Sequence, residues 1–187
     1  MTDEPILLER ARTGDMSAFR EIVERYKHMV HRIAFDMTGN MADAEDLSQD
    51  AFVRAFRSIG SFRGDAKVSS WLYRITINVC LDHRSRRGFS AMEYRDTIDA
   101  MASGDDGLPA PGDAAAAGVM QVHINRALQR LSPRERAAFV LRHYNDLSMK
   151  EIAETLSIST GTVKSLLFRG IAKLQQELSF YREDVEG

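Results

Sequence analysis

The stretch LSMKEIAETLSISTGTVKSLLFRGIAKL sets Lys164, Ser165, Phe168 and Arg169 at spacings that share one side of a helix. These side chains suit duplex nucleic acid: Lys and Arg reach guanine edges, and an apolar group meets a thymine methyl. Thr160 and Thr162 fall at the start of the same helix, where hydroxyls and free N–H groups suit a phosphate. A second set, Asp46, Gln49 and Asp50, stands at i, i+3 and i+4, and residues 36–50 hold five acids and no base. Acids at a helix start often only stabilise its dipole. Here they exceed that need and suit a basic protein partner. A third set reverses the sign. In residues 63–87 the bases Arg63, Lys67, Arg74, Arg84, Arg86 and Arg87 outnumber Asp65 and Asp82. Phe62, Trp71 and Tyr73 are interleaved with them, and Asn78 adds an amide. Bases with stacking rings suit single-stranded nucleic acid, although Trp71 with Leu72, Ile75 and Val79 also reads as core. His28 and His31 lie at i, i+3, but no carboxylate cluster converges on them and no HExxH motif exists, so surface histidines are the better reading.

The elements that must position these sets read as helical nearly throughout, without alternating strand runs. A first helix, around Ile6 to Thr13, ends at Gly14; Asp15 caps a second that stops before Gly39; Asn40 caps the third, from about Met41 to Ile59; a fourth runs from about Ser70 to Arg87. Leu47, Ala51, Phe52, Ala55, Phe56 and Ile59 form the expected core stripe of the third. Residues 88–118 are rich in Gly, Ala, Pro and Asp, with six acids against the single base Arg95. Such a stretch buries little and carries like charges, which predicts a flexible acidic linker. Helices resume near Val119, and Ser132 with Glu135 and Ser148 with Glu151 form capping boxes. Ser159 caps the last helix, on which Val163, Leu167, Gly170 and Leu174 make the apolar face. Ala153 and Gly170 are small enough to let two helices cross closely, as a helix-turn-helix requires. The fold class is therefore all-α: two small helical domains, 1–90 and 119–187, joined by a linker over 91–118, with the helix-turn-helix in the second.

Bulk properties bound the rest. The chain has 187 residues, 44% hydrophobic and 28% charged, as in a folded globular protein. No apolar run is long enough to cross a membrane. MTDEPILLERAR is acidic first and lacks an apolar h-region, so no secretory signal is expected. A lone Cys80 forms no internal disulfide, which fits a reducing cytoplasm.

AEDLSQDAFVRAF, FRGDAKVSSWLYRITINV followed by RSRR, LSPRERAAFVLRHYNDLSMKEIAETLSIS and GTVKS together resemble, in order, the extracytoplasmic-function sigma factors of bacterial RNA polymerase. The resemblance covers nearly the whole chain except the linker. It implies a dissociable specificity subunit without enzymatic activity or cofactor. Asp46, Gln49 and Asp50 would dock on the clamp helices of the largest polymerase subunit. Phe62, Arg63, Lys67, Arg74 and Asn78 would open and hold the minus-10 element, with a flipped base near Asn78. Thr160, Thr162, Lys164, Ser165, Phe168 and Arg169 would read the minus-35 element. The linker would thread toward the active-site and RNA-exit path, where its charge mimics RNA. Promoter DNA, polymerase core and a cognate anti-sigma factor are the implied partners, and the cytoplasm the implied location. Three positions depart from the family: Leu166 and Ile171 stand where Arg is frequent, and Gly170 replaces Ala. If position 166 faces phosphate, an Arg there would tighten binding. The alternative, an autonomous helix-turn-helix regulator, would bind paired half-sites as a dimer and leave the acidic and basic-aromatic sets without a purpose.

Overall fold

The computed structural model describes the backbone of residues 3–62, 64, 66–98 and 113–183, with side chains described in 3–62, 64, 66–84 and 120–181. Every element among them is helical. The order is α1 (Glu4–Arg12), α2 (Met16–Thr38), α3 (Met41–Ser58), α4 (Val68–Ile98), α5 (Asp113–Gln129), α6 (Pro133–Phe139), α7 (Met149–Leu156), α8 (Thr160–Glu177) and α9 (Phe180–Glu183). A 3-10 turn, Ile59–Ser61, extends α3, and a π turn, Val140–Tyr144, extends α6.

The helix starts follow from their caps. Asp15 accepts from the backbone N–H of Ser17 and Ala18 at 2.9 and 3.2 Å. The Ser17 hydroxyl, then Arg10, hold its carboxyl well below the usual carboxylate range. Asn40 accepts from Asp43 N–H at 3.0 Å. Both capping boxes are closed, Ser132 with Glu135 and Ser148 with Glu151. Gly39 ends α2 in the left-handed region at φ 70°, where a side chain is strained.

Helices α1–α4 pack around Leu7, Ile22, Ile33, Met37, Leu72 and Ile77, all fully buried. Trp71 is buried as well, so its core reading holds, and Cys80 lies in the same core with its thiol pushed up to about 12 by burial. Phe56, expected in the core stripe of α3, is 44% exposed and meets Phe19 only edge-on at 5.1 Å. It stands at the rim of the stripe.

Helix α4 runs through Ile98, past the expected end at Arg87, and α5 begins at Asp113 rather than near Val119. The expected linker 91–118 thus carries helix at both ends, and residues 99–112 lie outside the described residues. Ala114 to Ala117 are strong helix formers, which propensity alone explains.

The C-terminal half packs against the first, α6 on α2 and α4, and α7 on α4. Arg136 Nε donates to the Asp36 carbonyl at 2.7 Å, and Gln129 Nε2 to the Thr38 carbonyl at 2.6 Å. A Cβ on Gly39 would lie 2.1 Å from that Gln129 nitrogen, a second reason for glycine there. Arg136 is 1% exposed. Burial, then the neighbouring Arg84, pushes its guanidinium down to about 10, with Asp36 opposing. Burial pushes the Asp36 carboxyl up to about 6, against the pull of Arg32 and Arg136.

A carboxyl whose pKa is raised on folding adds stability that is full below the unfolded value and is lost as pH rises through the folded one. For Asp36 that window runs from about 4 to about 6. Scanning calorimetry of Asp36→Asn against the parent should therefore give a melting-temperature difference that moves in the variant's favour as pH rises from about 4 to 7. A difference constant with pH would show that the carboxyl titrates normally.

Candidate protein and nucleic-acid interfaces

The helix-turn-helix is built from α7, the break Ser157–Ser159 and α8. Ser157 takes the left-handed conformation at φ 53°, which turns the chain, and Ser159 restarts it by accepting from Thr162 N–H at 3.1 Å. Ile152 and Ala153 of α7 and Val163, Leu167, Gly170 and Leu174 of α8 are buried. That packing turns the opposite side of α8 outward. Thr160, Thr162, Lys164, Ser165, Phe168 and Arg169 are exposed, Phe168 at 77%. A single exposed ring is ordinary by itself; this one stands on the same side of α8 as Lys164, Ser165 and Arg169. The Thr162 hydroxyl is already shared with Ser159 Oγ at 2.9 Å.

Arg169 is less free than its neighbours. Its Nε donates to Glu135 at 3.3 Å, and Lys173 Nζ to the same carboxylate at 2.7 Å. Burial of Glu135 opposes its ionisation, but Lys173 and the Ser132 backbone and hydroxyl outweigh it and hold the carboxyl down to about 2. These contacts fasten α8 to α6. Gly170 belongs to the same seam: an added Cβ would sit 3.8 Å from Leu131 and Glu135, ordinary contact distance. The expectation that Gly170 permits a close crossing with α7 is corrected; it faces α6 and has room for a methyl. Leu166 is only 5% exposed. The idea that an Arg there would meet phosphate is therefore overturned for this packing, because the site is apolar contact. Ile171, the other departure, is 36% exposed.

On α3, Asp46, Gln49 and Asp50 are all exposed, with Glu45 beside them, while Ala44, Leu47, Ser48 and Ala51 turn inward. Val53, 47% exposed, and Phe56 continue this outer side by one and two turns. Sequence reasoning assigned neither to the interface, since Phe56 fitted the core stripe and Val53 carries no charge. Arg54 pairs with Asp82 at 2.8 Å and braces α3 on α4.

Lys67, just before α4, and Arg74 and Asn78 on it are exposed. Phe62, expected to meet the minus-10 element, is 7% exposed and stacked on Trp71 at 4.8 Å. It is corrected to a wall of the core in this conformation. Arg63 lies outside the described residues. His28 is exposed, and among the described residues no group of three or more His, Cys, Asp or Glu could hold a metal.

Two sequence families match, Sigma-70 region 2 over residues 22–89 and Sigma-70 region 4 over residues 122–174. The ECF RNA polymerase sigma factor SigW of Bacillus subtilis is 33% identical over 181 residues, 91% of this chain and 94% of that protein. The chain belongs to the ECF sigma factors. Solved structures agree on fold. CnrH in complex with the cytosolic domain of CnrY matches with TM-score 0.66 at 25% identity, covering 94% of this chain and 97% of that one. The sigma factor RpoE, solved with the anti-sigma factor NepR from Bartonella quintana, matches with TM-score 0.65 at 22% identity, covering 86% and 96%. This sigma factor is thus a non-enzymatic subunit that directs RNA polymerase to promoters, and the autonomous-regulator alternative falls away. No described helix is long and apolar enough to cross a membrane.

The helix-turn-helix packing sets a contrast between adjacent residues. Leu167→Ala should cost about 2–5 kcal/mol of stability, as large-to-small changes in a core do, whereas Phe168→Ala should leave thermal unfolding nearly unchanged. Circular dichroism melts of both variants check this; equal losses would mean that the ring is packed.

Proposed function

We propose that three surfaces of this sigma factor divide the work of initiation. The exposed Asp46, Gln49 and Asp50 of α3 dock on the clamp helices of the largest polymerase subunit. Arg74 and Asn78 of α4, with Arg63 and Lys67 from the preceding loop, hold the opened minus-10 strand. Thr160, Thr162, Lys164, Ser165, Phe168 and Arg169 of α8 read the minus-35 element in the major groove. Residues 1–90 and 119–187 are the two modules, and the acidic 91–118 threads toward the active-site and RNA-exit path.

The observation that carries this reading is the outward set on α8. Phe168 is 77% exposed between Lys164, Ser165 and Arg169 on a helix whose other side is core. A major groove admits one such helix. Opposite signs on α3 and α4 support two different partners, a basic protein surface and a polyanion. The cytosolic domain of CnrY bound to CnrH supports a cytoplasmic location, and the anti-sigma factor NepR bound to RpoE supports an anti-sigma partner. Two weak DNA contacts on one scaffold gain through effective concentration.

Asp46→Arg with Asp50→Arg should abolish polymerase-core binding, since like charges facing at an interface cost several kcal/mol. The helical circular dichroism should survive because both groups are exposed. A pull-down with core enzyme measures the loss; retained binding would remove the partner assigned to α3.

Holoenzyme binding to promoter variants at several salt concentrations tests α8. Loss of a base contact by Lys164→Ala or Phe168→Ala should cost about 1–3 kcal/mol and relax preference at one position. Loss of a phosphate contact should weaken all sequences alike and lower the salt slope. Arg169→Ala should also free Glu135, so Arg169→Lys serves as its control. Unchanged promoter choice in all of them would reduce α8 to a solvated face.

A further inference from the structure

We propose that Glu135 is a positioning residue for minus-35 reading: from α6 it holds Arg169 of α8 so that the guanidinium meets one guanine end-on. The proposal rests on the minus-35 assignment above and adds to it a buried residue of another helix. The Glu135 side chain is 5% exposed. One of its carboxylate oxygens accepts from Arg169 Nε at 3.3 Å. The other accepts from Lys173 Nζ at 2.7 Å and from the Ser132 backbone N–H at 2.9 Å. The Glu135 N–H donates in turn to the Ser132 hydroxyl at 3.3 Å, which closes the capping box. The anion is therefore fixed by α6 and by Lys173, and Arg169 must come to it.

A guanidinium carries one N–H on Nε and two on each terminal nitrogen. With Nε turned to Glu135, the two terminal nitrogens are left as the outward fork, on a side chain that is 56% exposed. Two parallel donors match O6 and N7 of guanine, and no other base presents two acceptors side by side in the major groove. An arginine that nothing holds can swing to a phosphate instead, and a phosphate contact carries no sequence information. Holding one end removes that choice before DNA arrives. The ion pairs themselves add little stability, because the Arg169 and Lys173 side chains are 56% and 46% exposed. Their value lies in where they put the fork.

The competing role for this carboxylate is only to fasten α8 to α6, and three variants part the two. Glu135→Gln keeps the length of the side chain and an oxygen for the Ser132 N–H, and glutamine also closes a capping box. It lacks the charge that draws the two cations. Lys173→Gln loosens the same seam but leaves Arg169 held. Glu135→Gln combined with Arg169→Ala shows whether the two residues act as one, since coupled residues are not additive.

The experiment uses holoenzyme. The parent first selects its minus-35 sequence from duplex DNA randomised over that element, and the selected duplex and its single-base variants are then the probes. Arg169→Ala should lower affinity for the selected duplex about tenfold and relax preference at one position, a guanine. Glu135→Gln should relax the same position and steepen the salt dependence, because the freed cations turn to phosphate. Added to Arg169→Ala, it should change that preference no further, and Lys173→Gln should leave it as in the parent. Circular dichroism melts check folding. Glu135→Asp, which keeps the charge but draws it back by one methylene, should relax the same position and carries the test should Glu135→Gln fail to fold. Relaxation by Arg169→Ala without relaxation by the Glu135 variant would overturn the positioning role and leave the minus-35 reading standing. An equal loss on every probe with Arg169→Ala would overturn base reading by Arg169, and the positioning role with it. Relaxation at the same position by Lys173→Gln, or a further loss of preference in the double variant, would reduce Glu135 to a fastening between helices.

Discussion

The end of helix α2 is a constraint that reaches across the molecule. The last carbonyls of a helix have no partner within it and need one when they are buried. Gly39 turns back so that its N–H takes the Phe35 carbonyl at 2.7 Å, and the Thr38 hydroxyl takes that of Ala34 at 2.8 Å. The Asp36 and Thr38 carbonyls are satisfied by residues 100 and 91 positions further on, Arg136 and Gln129. A cation there also meets the negative end of the helix dipole. One helix terminus thereby decides how the second half of the chain seats on the first.

Seating the halves this way brings charges of opposite sign together. The net charge of the chain is only −2, yet it is distributed as an acidic outer side on α3, a basic side on α4 and an acidic side on α7. Asp46, Gln49 and Asp50 of the first and Arg74 of the second remain exposed, so surfaces of opposite sign stay open to different partners.

Much of this was legible in the sequence because it depends on neighbours within a few residues. The caps at Asp15, Asn40, Ser132, Ser148 and Ser159, the break at Ser157–Ser159 and the outward turn of Lys164 and Phe168 follow from local chemistry and a period of 3.6. What was not legible depends on which other helix arrives. Phe62 reads as a stacking ring until Trp71 lies against it; Leu166 stands where an arginine would reach out, until packing buries it. Gly170 reads as a contact for α7 until α6 and Leu131 turn out to be its neighbours. Arg136 is the sharpest case: arginines are seldom fully buried, and this one is, with a backbone carbonyl as partner, which leaves no mark in the sequence. The α4 and α5 extensions into the expected linker reflect a different limit, since acidic, alanine-rich composition suits helix and flexible chain alike.

The chemistry of the clasp also bears on how tightly it can hold. Buried guanidinium groups carry a desolvation cost that one good hydrogen bond does not offset in full. Arg136 keeps Nη1 without a hydrogen-bond partner among the described residues, as does Asp36 Oδ2, and Arg84 lies close enough to oppose its charge. An apolar contact of the same area would lack these costs and hold more firmly. A ligand could separate the two halves only by as much as its affinities for the packed and separated arrangements differ, and the unpartnered polar atoms at this contact lower the difference required.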